Sequence, residues 1–248
     1  YDHDIDSVGW TLDHRELMKF LLNKLKYDSN ISLYLDTNVI NQDSNYDIII
    51  ACDGYNSFYR KLWNFKRLRI KYKQGCITFK ALARVTKSNA AYEIFKKDGP
   101  MAILPMGRDL FQFVISAPIL KCERLVRLNS ASFLDHIAIT LPSGIEIDSL
   151  YNKPQFFPLQ LSIPLTLSKG NRFLIGESAH TVHPVGGQGL NLSIRDISEI
   201  TLLLKSFNHN SLGNLQIFKY NVFRYLDIFT TSFLTDSLVR IFSNNSIF

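Results

Sequence analysis

Hydrophobic positions follow two different periods along this chain, and the change of period divides it. Leu17, Leu21, Leu22 and Leu25 recur at helical spacing. Asp13 stands ahead of them as an N-cap, with Glu16 three residues on as the reciprocal partner of a capping box. Lys24 and Lys26 suit the negative end of the helix dipole. A strand is expected at 31–35, then a polar loop at 41–45. Residues 47–52, Asp-Ile-Ile-Ile-Ala-Cys, form the short continuous apolar run of a strand covered on both faces. The run stops at Asp53-Gly54, a turn signal, and Asn56 or Ser57 can cap the next element.

From about residue 66 the period becomes two. Ile77, Phe79, Ala81, Ala83 and Val85 alternate with Thr78, Lys80, Leu82 and Arg84, and Phe111, Phe113 and Ile115 repeat the pattern. Six prolines between 105 and 164 argue for short strands and turns, with one helix expected near 130–140. The first texture then returns. Residues 172–176 read as a second short buried strand, a glycine-rich turn comes next, and Leu190, Ile194, Ile197, Ile200 and Leu204 trace a helical stripe. A last amphipathic helix is expected to bury Phe218, Val222, Tyr225, Phe229 and Phe233. Two α/β pieces, 1–65 and 167–248, thus flank a sheet-rich insert at 66–166, and the outer pieces must meet to bury their strands.

Composition narrows the class. With 46% hydrophobic and 20% charged residues, the 248-residue chain is globular rather than disordered. Three cysteines are too few for a disulfide framework and point to a reducing compartment, so a cytoplasmic place is expected. No apolar run approaches the roughly 20 residues that cross a bilayer. The chain opens at Tyr1 and closes at Phe248 with neither a signal-peptide pattern nor a polar tail, and both ends read as cut. The net charge of +6 favours anionic partners without choosing among them. The densest basic stretch, 60–73, interleaves Trp63, Phe65 and Tyr72; a solvated connector between domains explains it better than a nucleic-acid module, and no nucleic-acid partner is expected.

Two segments carry candidate chemistry. The 47–52 strand delivers Asp53 and Gly54 to its carboxyl end, where ligands bind in open α/β sheets. On that segment alone, an Asx-type turn explains Asp-Gly as well or better. The second segment is richer: its strand delivers Glu177, and Gly186, Gly187 and Gly189 then open a helix. Such a turn lets backbone approach a ligand, and the helix start offers unpaired N–H groups to a ring that becomes anionic, as a reduced flavin does. His180 and His183 do not make a metal site, because Pro184 biases His183 away from a shared helical face and no H-E-x-x-H occurs. No G-x-S-x-G, P-loop or complete G-x-G-x-x-G is present.

Together these segments resemble the flavoprotein aromatic hydroxylases of the p-hydroxybenzoate hydroxylase type, and most closely the ubiquinone-biosynthesis hydroxylases. Residues 51–57, Ala-Cys-Asp-Gly-Tyr-Asn-Ser, ending in Arg60-Lys61, resemble the family's Asp-Gly motif. Residues 174–191, followed by Ser-Ile-Arg-Asp, resemble its second flavin motif, whose common form is Gly-Asp-Ala-Ala-His-Thr-Val-His-Pro and then Gly-Gln-Gly-Leu-Asn. Gly9-Trp10 with His14, Arg15 and Leu17 is similar to the segment ahead of the family's first crossing helix, and 235–244 to a stretch typical of the quinone-pathway branch.

The resemblance implies an α/β fold: an FAD-binding doubly wound (Rossmann-like, incomplete) domain in two parts, 1–65 and 167–248, with an inserted sheet-rich α+β substrate domain. It implies FAD as cofactor and NAD(P)H as co-substrate. Glu177 would hold the ribityl chain. Pro184, Gly187, Gln188, Gly189, Leu190 and Asn191 would line the isoalloxazine ring. Asp53 and Gly54 would serve FAD and transient NADPH, and Arg15 the cofactor phosphates or the flavin region. No catalytic side chain is implied, since the cofactor carries the reaction. The implied substrate is a small aromatic, a prenylated phenol or quinone precursor. Peripheral association with a membrane surface or a biosynthetic complex is a further implication. Glu177 where Asp is usual, and the missing pyrophosphate loop, predict weakened FAD retention. The alternatives are a flavin monooxygenase or reductase acting on another isoprenoid or lipid, and a truncated, catalytically silent remnant.

Overall fold

The computed structural model describes residues 7, 9–37, 46–206 and 213–242. The polar loop at 41–45 and the end of the 235–244 stretch lie outside them. The elements in order are α1 (His14–Lys26), β1 (Ile49–Ala51), α2 (Phe58–Leu62), β2 (Arg67–Val85), β3 (Tyr92–Ile94), β4 (Met101–Pro105), β5 (Leu110–Pro118), α3 (Ile119–Val126), α4 (Ser130–Ala138), β6 (Ile145–Leu150), β7 (Gln155–Pro164), β8 (Ser168–Lys169), β9 (Arg172–Leu174), α5 (Gln188–Lys205) and α6 (Asn214–Phe242). Short 3₁₀ turns at Gly176–Ser178 and Val185–Gly187 precede α5.

The outer pieces meet in a three-stranded sheet of order β1-β9-β8. β1 pairs with β9 in parallel, Ala51 opposite Leu174, and β8 runs antiparallel to β9. Strands far apart in sequence thus share one core, in which Ala51, Phe173 and Leu174 meet Leu192 and Ile200 of α5 and Ile228 of α6. This is the mixed α/β architecture expected of the two outer pieces.

The middle of the chain forms an antiparallel sheet, order β3-β4-β5-β2-β6, with β7 also on β2. The period-two residues Ile77, Phe79 and Ala81 are fully buried. Phe79 stacks on Phe113 of β5 at 4.9 Å and meets Phe133 of α4 edge-on at 5.1 Å. Burial of each such ring contributes roughly 1.5–3 kcal/mol. Pro158 sits beside the register shift in the β2–β7 pairing, where its missing N–H is tolerated.

Several sequence expectations are corrected. Residues 31–35 form no strand; Ile31, Leu33 and Leu35 are exposed, and no described strand pairs with them. Glu16 does not close a capping box. Asp13 caps Arg15 N at 2.8 Å, but Glu16 pairs with Lys19. Two helices, not one, interrupt the insert: the eight-residue α3 starts directly after Pro118 and is too short to show a period. The basic stretch is not a connector. From residue 67 it is the first half of β2, whose Arg-Leu-Arg-Ile-Lys-Tyr is itself a period-two run paired with β7.

The long helices are turned from their expected faces. On α5 the buried positions are Leu192, Asp196, Ile200 and Leu203, while Leu190, Ile194, Ile197 and Leu204 are exposed. On α6 they are Tyr220, Arg224, Ile228, Ser232, Thr235 and Val239, while Phe218, Val222, Tyr225, Phe229 and Phe233 face out. Both inner faces are built around a buried ion pair, which a hydrophobic stripe cannot reveal.

Candidate functional site

The parallel pairing of β1 and β9 brings their carboxyl ends side by side. Ile175 N donates to Ala51 O at 3.1 Å, continuing the ladder past β9. The buried Ser178 hydroxyl lies 2.6 Å from Ala51 O and 2.7 Å from Ile175 O, and its one proton is shared between these two carbonyls. Arg60, carried on α2 and 3% exposed, donates to Ser178 O at 2.7 Å and to Tyr55 O at 2.6 Å. One guanidinium therefore joins the turn after β1 to the turn after β9. Burial, with Arg67 nearby, lowers its pKa from the ordinary value.

Asp53 is exposed, and its Oδ2 accepts from Phe58 N at 2.7 Å and Tyr59 N at 3.2 Å. It thus steadies the first turn of α2, whose N-cap is Ser57, accepting from Arg60 N at 2.9 Å; bonds five and six residues on are not those of an Asx turn. Gly54 adopts φ 78°, a left-handed conformation that costs glycine little. Glu177 is exposed in the 3₁₀ turn after β9 and has no hydrogen-bond or ion-pair partner among the described residues. Its carboxylate is free to accept hydroxyl hydrogen bonds.

The second turn is fixed from beneath. Gly176 N donates to Asp196 Oδ2 at 2.7 Å, and His180 Nε2 lies 2.7 Å from the same oxygen. Arg224 Nε donates to the other oxygen, Asp196 Oδ1, at 2.8 Å and Nη2 to Leu192 O at 3.2 Å. Asp196, Arg224 and His180 are all buried. Burial alone would lower the Arg224 pKa, but Asp196 and Asp227 raise it above the ordinary value. One buried carboxylate thus ties the Glu177 turn, α5 and α6 together, with both its oxygens occupied.

Gly186 and Gly187 take left-handed conformations in succession, φ 67° and 62°, and this allows the chain to double back into α5. Gly187 N-caps α5 without a side chain, and no acid stands in the first turn. A Cβ placed at Gly187 or Gly189 would meet nothing within 4 Å. The helix start therefore presents open backbone, with the N–H groups of Gln188, Gly189 and Leu190 ahead of the first intrahelical bond. Glu93 of β3 approaches from the antiparallel sheet. Burial raises its pKa, against a hydrogen bond from the Gly186 backbone.

His183 is wholly buried ahead of Pro184 and accepts from Val185 N through Nδ1 at 3.3 Å. Its Nε2 is buried with no partner among the described residues. Tyr72 of β2 packs edge-on against the ring at 5.4 Å, and the Tyr72 hydroxyl donates to Asp236 of α6 at 2.8 Å. Burial pushes the His183 pKa down to about 4, so the imidazole is neutral.

The structure thus brings Asp53-Gly54 and the Glu177 turn to adjoining strand ends, and packs α5, which the 184–191 turn opens, against the Glu177 turn. It does not bring Arg15 with them. Arg15 lies exposed on α1, which the Asp13–Lys80 ion pair and a Thr11–Pro105 hydrogen bond hold to the antiparallel sheet. Arg60, Asp196 and Glu93 were not among the expected site residues. Arg60 was visible as one of many basic residues and, like Asp196, as the end of a motif; Arg224 gave no signal. No cluster of three or more His, Cys, Asp or Glu among the described residues could hold a metal.

The residues present fit a flavin. A ring that gathers negative charge needs unpaired donors, and the first turn of α5 supplies them with no acid of its own, while Glu93 takes its hydrogen bond from Gly186, just ahead of that turn. Comparisons with known proteins agree. The FAD binding domain family matches residues 41–209. An uncharacterized protein of Synechocystis, slr1300, is 32% identical over 201 residues, covering 80% of this chain and 49% of that protein. The mitochondrial ubiquinone biosynthesis monooxygenase COQ6 of Rattus norvegicus is 26% identical, over 80% of this chain and 50% of its own length. The 3-demethoxyubiquinol 3-hydroxylase of Escherichia coli is 27% identical, over 80% and 51%. Among solved structures, pqsL of Pseudomonas aeruginosa, a probable FAD-dependent monooxygenase, superposes with a TM-score of 0.70 at 16% identity, covering 92% of this chain and 69% of that one. The chain spans about half the length of the curated relatives it matches. With more than half of its residues matched, this chain belongs to the FAD binding domain family, with FAD as its cofactor.

Proposed function

We propose that this chain is part of an FAD-dependent monooxygenase that hydroxylates the aromatic ring of a prenylated phenol or quinone precursor with NAD(P)H and O2. The carrying observation is the glycine-led start of α5, with no side-chain cap and no acid in its own first turn, in the segment that follows β9, the strand paired in parallel with β1. The names of the mitochondrial and bacterial relatives support the quinone branch. Bound FAD supplies the redox and oxygen-activating chemistry.

The chain's own residues bind and orient. Backbone N–H groups from Gln188 to Leu190 meet the electron-rich edge of the ring, where fixed dipoles need no rearrangement as charge develops, and Asn191 follows them on the same turn. Pro184 and Gly187 border the ring, and Glu177 accepts from ribityl hydroxyls. Gly54 lets the first turn approach the cofactor while Asp53 holds that turn in shape. The Asp196–Arg224 pair keeps the Glu177 turn and α5 in fixed relation. His183 stays neutral, so it adds no charge beneath the ring. Arg15 has no described contact that supports a cofactor role.

Titration with FAD, read by loss of flavin fluorescence, tests the binding half. Glu177→Gln should weaken binding about tenfold, the scale of one hydrogen bond to a charged group. An unchanged dissociation constant would remove Glu177 from the site. Incubation with FAD, NADPH, O2 and prenylated phenols tests the reaction; products heavier by one oxygen atom support it, and NADPH oxidation without oxygenated product counts against it.

No described helix is long and apolar enough to cross a membrane. The exposed Phe218, Phe223 and Phe233 on α6, with the net positive charge, support peripheral docking at an anionic surface. Failure to co-sediment with anionic vesicles would count against it.

A further inference from the structure

A hollow of about 450 Å³ opens in the antiparallel sheet's half of the molecule, between the 96–99 turn and helices α3 and α4. Its volume is that of small-molecule sites, roughly 300–1,000 Å³. None of the residues lining it belongs to the strand-end turns. Its floor is apolar: Met101 and Ile115 from β4 and β5, Leu125 from α3 and Ile137 from α4. Ile139, also lining it, is 86% exposed.

Charge in the lining is one-sided. Lys96 and Lys97 come from the 96–99 turn, Lys121 and Arg124 from α3, and His136 from α4. Asp98 is the one acid in the lining, and it is already bound to Lys121 at 2.7 Å. Among the described residues, Lys96, Lys97 and Arg124 have no acidic partner. Burial, and the Lys121 ammonium beside it, lower the Lys96 pKa from the ordinary value. His136 spends Nδ1 on Ser132 O at 2.8 Å, leaving Nε2 for another group. The wall is tightly built: Gly99, at φ 146°, lies so close to β5 that a Cβ there would stand 2.6 Å from Ser116 O.

An apolar floor beside unneutralised cations suits a ligand that is apolar at one end and anionic at the other. We propose that this hollow binds a single-chain anionic amphiphile, with the aliphatic tail on the Met101–Ile137 floor and a carboxylate or phosphate-monoester head against Lys96 and Arg124. The site is separate from the flavin turns, and it stands or falls independently of the hydroxylase reading.

The three methionines of the chain allow a localised test: Met101 is on the floor, whereas Met18 lies on α1 and Met106 comes just after β4. The chain, labelled with 13C at the methionine methyls, is titrated with dodecanoate, dodecyl phosphate and dodecanol below their aggregation limits. The expected result is a saturable shift of the Met101 signal by at least one anionic ligand, with Met18 unmoved. The head that binds more tightly identifies the class. The Lys96→Glu/Arg124→Glu variant should lose at least tenfold in affinity. An unmoved Met101, equal binding of dodecanol, or unchanged affinity in a folded charge-reversal variant would each overturn the proposal. The wild-type Met101 response decides the matter if that variant does not fold.

Discussion

The residue doing most to shape the site is one that carries no flavin chemistry. Arg60 reaches both strand-end turns with one guanidinium, and its two acceptors, Ser178 O and Tyr55 O, are backbone groups. Arg60→Ala leaves them without that donor, and about 2–4 kcal/mol of stability should be lost, the range for unpaired buried partners of a charge. Urea midpoints measure it; a loss below about 0.5 kcal/mol, the scatter of surface substitutions, would mean water replaces the side chain. His183 makes a prediction about pH. Its folded pKa of about 4 lies below the ordinary 6.5, so between those values the unfolded chain binds the extra proton. Stability from this group is therefore complete above about 6.5 and falls as pH drops toward 4, at up to about 1.4 kcal/mol per unit. Between pH 7.5 and 5 the wild type should lose about 2 kcal/mol more than His183→Asn, and equal slopes would show that the ring is protonated without cost. Three residues apart in one motif, His180 and His183 are alike in the sequence. Only the structure shows that His180 meets a carboxylate and His183 meets none.

At the scale of elements, the legible features came from backbone rules and the hidden ones from partners. The two buried strands, the alternating β2 and the glycine turn could be read because each is local: continuous apolar residues, period two, and glycines where φ is positive. The inner faces of α5 and α6 could not. Asp196 and Arg224 are the polar pair around which those faces close, and each reads as surface until its partner is known. The eight-residue α3 was too short for any period. The turn into α5 gives the clearest test at this scale. Gly187→Ala has room for its methyl, yet must hold φ near 62°. The left-handed conformation should cost about 1–2 kcal/mol. FAD affinity should fall while the helical circular dichroism is retained, because the methyl enters the space above the open backbone. Unaltered affinity in Gly187→Ala would place the ring elsewhere.

At the scale of the molecule, the two sheets are joined by more than chain connections. Ser162 of β7 and Thr181 of the flavin motif exchange backbone hydrogen bonds, each 2.9 Å. Tyr72 of β2 holds Asp236 of α6, Tyr55 beside the first turn is hydrogen-bonded to Gln160 of β7, and Phe95 packs on Phe242 at 4.6 Å. These contacts tie β2, β7 and the residue after β3 to α6, to the first turn and to Thr181, so neither half can open without disturbing the other. The chain is therefore expected to unfold in one transition rather than two. The halves carry separate reporters. Trp63 is buried in the core of the three-stranded sheet, and Met101 in that of the antiparallel sheet. Trp63 fluorescence (Trp10 is largely exposed and changes little) and the Met101 methyl signal should give coincident urea midpoints. Added FAD should raise both midpoints equally, by linkage, although the flavin turns touch only one core. Separate midpoints, or an FAD shift confined to Trp63, would show that the inserted sheet is a lid resting on the site rather than part of its wall.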